Sequence, residues 1–303
     1  MFPASNCLMP NSRRLREWLT AYALLLPSFA GLSLFVLWPL LDTGYLSLTN
    51  WDFLEAPQYV GLKNYEKLLA DDVLRQVVAN TTLYTLAVVL ITLVLALGLA
   101  LLLNRPLRGR APARTIFFLP VVTTLVAVSG LWLFIYTPDF GLLSYLLRLL
   151  GLSGQAWLNS PATALWAIIV MMIWQGLGYD IIILLAGLGN IRADLYDAAA
   201  LDGATRGSLL RHITLPLLSP TLVFLIIVST IQAFRVFDPV YVMSGGLGGP
   251  ANSTATLVFY LYRQAFFNLD GGYASAIAYL IVGIALALTV VQLNVSRRWV
   301  TYQ

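Results

Sequence analysis

Six long apolar runs separated by polar segments set the pattern of this chain: 21–41, 77–103, 115–137, 161–188, 215–237 and 273–296. Each is long enough for a bilayer crossing, which takes about 20 mostly apolar residues in a helix. The pattern predicts an all-α polytopic membrane protein with six transmembrane helices, its spans making one domain over 21–296. The first run follows Arg13, Arg14 and Arg16, stays uncharged and ends in Trp38-Pro39. It exceeds the roughly 7–15 apolar residues of a cleaved signal peptide, so an uncleaved anchor is expected. Asp180 is the one charge inside the fourth run, and Leu142–Leu150 reads as a short amphipathic helix in the connection before it.

The polar segments give the orientation. With the N-terminus inside, twelve Lys/Arg fall on inner segments: three before the first run, four in 105–114, Arg192, Arg206 and Arg211, and Arg297 with Arg298. Outer segments hold five: Lys63, Lys67, Arg75, Arg148 and Arg263. This bias predicts cytoplasmic termini, 1–20 and 297–303, and a cytoplasmic loop at 190–216. Composition agrees with the membrane reading, since 59% of the 303 residues are hydrophobic and only 11% charged, against about 25% charged in soluble domains. One cysteine (Cys7) and one histidine (His212) exclude a disulfide framework and a multi-ligand zinc site.

Loop 190–216 is the most distinctive polar stretch. Leu195, Ala198, Ala199 and Asp202 fall at i, i+3, i+4 and i+7 and share a helix face. Gly203 follows as a turn, because glycine adopts positive φ without steric cost. A second helical piece, Ala204–His212, leads into Leu215-Pro216. On the residues alone this is either a protein-docking hairpin with a smooth alanine ridge or an amphipathic hairpin lying on the membrane.

The order Tyr196-Asp197-Ala198-Ala199, then Asp202-Gly203-Ala204, then Ile213-Thr214-Leu215-Pro216 resembles the coupling loop of permease subunits of binding-protein-dependent ABC importers. Asp197 stands where that family usually has glutamate. Further blocks resemble the carbohydrate and glycerol-3-phosphate members: 59–65, 80–85, 186–188, 237–241, 245–250 with 252–254, and 272–276. Leu247 interrupts what is usually an unbroken glycine stretch. The resemblance implies a type I importer permease fold in a bacterial or archaeal cytoplasmic (inner) membrane. It implies a second homologous permease, two ATPases and an extracytoplasmic binding protein as partners, and a sugar, oligosaccharide or polyol phosphate as solute. Tyr196, Asp197, Ala198, Ala199, Asp202, Gly203, Ala204, Ile213 and Pro216 then form the ATPase-coupling surface.

The chain has no phosphate-cradling Gly-x-x-x-x-Gly-Lys-[Ser/Thr], and both lysines lie on outer segments. No cofactor is expected on it; ATP and magnesium belong to the partner ATPases, and neither enzymatic activity nor nucleic-acid binding is expected. Polar residues inside spans are costly and mark functional positions. Thr123, Thr124, Trp174, Gln175, Ser229 and Gln232 lie near mid-span and offer amides, hydroxyls and an indole face to a hydroxylated solute. Hydrogen bonding between helices is the alternative use of such groups. Asp180 and Arg235 each lie nineteen residues along their spans from opposite faces, about 28 Å, and are expected near opposite faces without contact. An ion-coupled secondary transporter is the competing functional class. It would show internal repeats and broken helices near the midplane, and no repeat is visible in the sequence.

Overall fold

The computed structural model describes residues 11–105 and 109–299, with side chains over 16–105 and 109–297. Cys7, Arg108 and the outermost parts of both expected terminal segments lie outside what is described, as do the side chains of Arg13, Arg14 and Arg298. The helices in order are α1 (Asn11–Leu32), α2 (Trp38–Leu46), α3 (Lys63–Ala70), α4 (Asp72–Leu103), α5 (Arg110–Val122), α6 (Leu125–Ile135) and α7 (Leu142–Leu149). They continue with α8 (Ala164–Gly189), α9 (Ala193–Leu201), α10 (Arg206–Leu209), α11 (Leu215–Phe234), α12 (Asp238–Met243), α13 (Leu257–Phe266) and α14 (Gly271–Trp299).

Two π turns weld shorter pieces into long rods. Ser33–Leu37 joins α1 to α2, and Leu210–Thr214 joins α10 to α11. Each lies just before a proline, Pro39 or Pro216. Proline lacks the N–H that would bond the carbonyl four residues back, and its ring collides with that carbonyl. Widening the preceding turn lets the helix run on past it. Among the described residues, five helices are then long and apolar enough to cross a membrane, and six if a bent pair counts as one span.

That bent pair corrects the third expected run. Residues 115–137 do not form one rod: α5 and α6 meet at 102° across Thr123 and Thr124, both extended (ψ 141° and 140°). Most other helices begin earlier than the apolar runs suggest. α4 starts at Asp72 because Asp71 caps it, its carboxylate accepting from the Leu74 N–H at 3.1 Å. The rod containing α11 starts at Arg206, well before Leu215.

α4 and α8 form the central packed pair, with α5 and α11 against them. Alanines and glycines allow close approach, as in membrane helix pairs generally: Ala96 and Ala100 are fully buried, and Gly178 lies against the backbone of Phe117 and Phe118. α1 is different. No residue of its apolar window is buried, and the rod touches the rest through α2, where Tyr279 donates to the Leu40 carbonyl at 2.7 Å.

The end of the bundle away from residues 190–205 is closed by polar contacts between blocks far apart in sequence. The buried Asn64 amide donates to the Ser47 and Thr49 carbonyls at 2.8 and 2.7 Å. Asn80 reaches the Asn252 and Ala255 carbonyls, and Thr81 accepts from the Leu257 N–H. Asp71 takes hydrogen bonds of 2.6 Å from both Tyr260 and Tyr273. Burial pushes the Asp71 carboxyl up, but the two phenols and the backbone N–H groups outweigh it and hold the group below its ordinary value. Burial, and then the bond to Asp71, pushes the Tyr260 phenol up to about 12. In the glycine run, Gly245, Gly246, Gly248 and Gly249 all have positive φ. Leu247 sits at the one position between them outside that region, which is why a side chain fits there.

Candidate functional site

Two regions stand out along the same pair of rods. The first is the connection between α8 and α11. α9 ends in a Schellman motif: the Ala204 N–H bonds the Ala199 carbonyl at 2.9 Å and the Gly203 N–H bonds the Ala200 carbonyl at 3.1 Å. Gly203 has φ +76°, and nothing lies within 4 Å of where its Cβ would stand. The turn thus needs glycine for its backbone and not for space. Asp197, Ala198, Asp202 and Gly203 are exposed, while Tyr196, Ala199, Ala204, Ile213 and Pro216 are half-buried. Leu201, at the tip, is 90% exposed. The face pattern passed over this exposed apolar side chain, because it lies off the Leu195–Asp202 stripe.

The second region is a cavity of about 420 Å³ between α4, α8, the α5–α6 bend and α11. It occupies the interruption between two apolar clusters. On α4 it takes Thr92, between Val89 of one cluster and Ala96 of the other; on α8 it takes Gln175 to Asp180, between Ile173 and Ile181; on α11 it takes Ser229, between Leu225 and Ala233. Each helix turns a polar residue inward at the same depth.

Of the residues expected along a solute path, the structure brings Gln175, Ser229 and Gln232 to this cavity. It does not bring Trp174, Thr123 or Thr124 to the lining. Trp174 lies about 100° around the helix from Gln175 and meets Trp132 edge-on, with centroids 5.6 Å apart. Thr123 and Thr124 form the exposed α5–α6 corner instead, and their neighbours Val121 and Leu125 line the cavity.

The expected placement of Asp180 and Arg235 near opposite faces is also corrected. Both line the cavity, although no ion pair joins them among the described residues. Gly187 of α8 packs on Thr221 of α11. Seven residues toward the cavity on both helices give Asp180 level with Val228, and Arg235 is seven residues further, about 10 Å away. The longer estimate fails because it took depth from the ends of each apolar run, whereas the Gly187–Thr221 contact sets the register between the two helices.

Two lining groups were missed. Among the described residues the buried hydroxyls of Tyr84 and Thr92 have no hydrogen-bond partner, and both residues line the cavity. Such groups are costly to bury unpaired. On single helices they read as ordinary polar positions, so only the packing exposes them.

Comparison with known proteins accords with this geometry. Residues 96–300 match the family described as binding-protein-dependent transport system inner membrane component. The chain is 36% identical over 299 residues to the probable ABC transporter permease protein YesP of Bacillus subtilis, covering 97% of this chain and 96% of that one. It is 34% identical over 284 residues to the trehalose/maltose transport system permease protein MalF of Thermococcus litoralis, covering 93% and 95%. A bacterial alginate ABC transporter, solved in complex with its pentasaccharide-bound periplasmic protein, superposes with a TM-score of 0.83 at 26% identity, covering 95% of this chain and 96% of that one. The chain therefore belongs to the inner-membrane permease components of binding-protein-dependent ABC importers and is a multi-pass transport subunit, not an enzyme.

Proposed function

We propose that the chain forms half of a solute pathway with a second permease, takes its solute from an extracytoplasmic binding protein, and is driven by two ATPase subunits docked on the α9–Gly203 hairpin. In this reading ATP and magnesium sit on the ATPases, and both termini and the hairpin face the cytoplasm. The solute is a sugar, an oligosaccharide or a related polyol phosphate. The amides of Gln175 and Gln232 and the hydroxyls of Tyr84, Thr92 and Ser229 both donate and accept, as polyhydroxylated molecules require. A volume of about 420 Å³ lies within the ordinary range for small-molecule sites, roughly 300–1,000 Å³.

One observation carries the reading: α8 lines the cavity with its middle turns and α11 with its last turns, and the two are joined by an exposed, alanine-ridged hairpin with Leu201 at its tip. A push on that hairpin moves both cavity walls together. Gly203→Val tests it. Forcing a β-branched residue to φ +76° costs about 1–3 kcal/mol of backbone strain, with no clash to confuse the result. The variant is expected to insert in the membrane, lose ATPase attachment on co-purification and lose solute uptake. Normal uptake would refute the docking role.

A further inference from the structure

The hairpin and α11 are joined by a hydrogen bond between Tyr196, on the half-buried side of the hairpin, and the buried Thr214. The Tyr196 hydroxyl lies 3.1 Å from Thr214 Oγ1, and Thr214 Oγ1 lies 3.3 Å from the Leu209 carbonyl. Thr214 is buried, with 6% of its surface exposed. A hydroxyl has one proton to give. Thr214 spends it on the Leu209 carbonyl, which can only accept, so Tyr196 must be the donor to Thr214. The relay runs in one direction: Tyr196 O–H to Thr214, and Thr214 O–H to Leu209.

Its position matters as much as its geometry. Thr214 closes the π turn Leu210–Thr214, the widened turn that carries the rod past Pro216. The Leu215 N–H bonds the Leu210 carbonyl five residues back, so the turn holds one residue more than an α-turn. Tightening it to α geometry would rotate everything beyond it by about 100°. Beyond it on α11 stand Ser229 and Gln232, both on the cavity wall. The turn is where α11 can most easily slip against the hairpin, and the tyrosine fastens it there.

We infer that Tyr196 and Thr214 form a latch that holds the π turn in register, so that displacement of α9 rotates and shifts α11 as a rigid unit and reaches Ser229 and Gln232. They are positioning residues for the transport cycle and touch no solute. The inference rests on the reading that α9 carries the ATPase.

The test needs no identified solute. In the assembled complex with its ATPase, the reporter is Ser229→Cys in a Cys7→Ser background, and the probe is methanethiosulfonate ethylsulfonate. Labelling rates are compared without nucleotide and after trapping with ATP and vanadate. With an intact latch the rate changes on trapping. Thr214→Val is expected to shrink that change by about fivefold, the scale of one net hydrogen bond, while the ATPase still co-purifies. Tyr196→Phe should match it, the double variant should be no worse than either single one, and Thr214→Ser should respond like the parent. Three results overturn the latch: a Thr214→Val complex that responds like the parent, effects of the two variants that multiply, or loss of the ATPase from Thr214→Val. A parent complex blind to nucleotide overturns the docking reading itself, and the latch with it.

Discussion

Gly178 offers a direct measure of how tightly the cavity is built. A methyl group on it would meet the Phe117 carbonyl oxygen and stand 2.8 Å from the Phe117 carbonyl carbon and 2.9 Å from the Phe118 Cα. All three are backbone atoms, so no side chain can swing aside. Carbon atoms rest at about 3.5–4.0 Å, so α5 must withdraw from α8 by about 0.7–1.2 Å. A gap of that size forfeits a quarter to a half of each well it opens, and overpacking of this kind costs about 1–3 kcal/mol. Gly178→Ala should therefore destabilise the chain by that amount and pull Val121, at the end of α5, outward from the cavity. Gly98→Ala on α4 is the control. Nothing lies within 4 Å of its added methyl, and replacing a mid-helix glycine gains about 0.5–1 kcal/mol. The assay is the temperature at which half the detergent-solubilised protein remains monodisperse, read against the parent. Gly178→Ala as stable as Gly98→Ala would refute the close α5–α8 contact and the cavity shape derived from it.

Other expectations follow from the same contacts. Gln175→Ala and Gln232→Ala should each weaken apparent solute affinity by about fivefold or more, the scale of a hydrogen bond left unmade, whereas Trp174→Ala should leave it near the parent value; uptake kinetics decide. In a Cys7→Ser background, Leu247→Cys (75% exposed) should label from outside intact cells and Leu201→Cys only after permeabilisation, and the reverse would overturn the proposed orientation. The folded Asp71 carboxyl lies below its ordinary value of 3.8, so its contribution is present above that pH and lost as pH falls through the lower folded value. The parent should lose thermal stability on acidification below about pH 3.8, and Asp71→Asn, less stable at pH 7, should show a flatter profile there.

The six apolar runs were legible because lipid leaves a spanning segment little choice of composition. Helix starts were less so: Asp72 and Arg75 open α4 in a polar setting, where capping by Asp71 decides the boundary. The α5–α6 corner carried only a faint signal, Pro120 followed by the β-branched pair Thr123-Thr124, and hydropathy scores both threonines as tolerable within a span. Gln175, Ser229 and Gln232 were readable as intramembrane amides and hydroxyls. Their shared depth was not, since it depends on the Gly187–Thr221 packing register. The same register placed Arg235 on the cavity of Asp180, against an estimate made from chain distance.

The corner at Thr123 and Thr124 has a consequence for how a solute would be escorted. Thr124 offers α6 no side-chain cap, so the first N–H groups of that helix and the last carbonyls of α5 lack intrahelical partners there. At membrane depth, irregular backbone of this kind is tolerated only against protein or a water-filled space, and Val121 and Leu125 place the corner at the cavity's edge. The bend therefore favours a wet pathway with a rung of backbone dipoles at its edge. A sugar moving past it would trade its hydration shell in stages, one set of hydroxyls handed to peptide groups while the rest stay in water. Desolvation, which as a single step would be the largest barrier to carrying a polyol through an apolar layer, is then divided along the path.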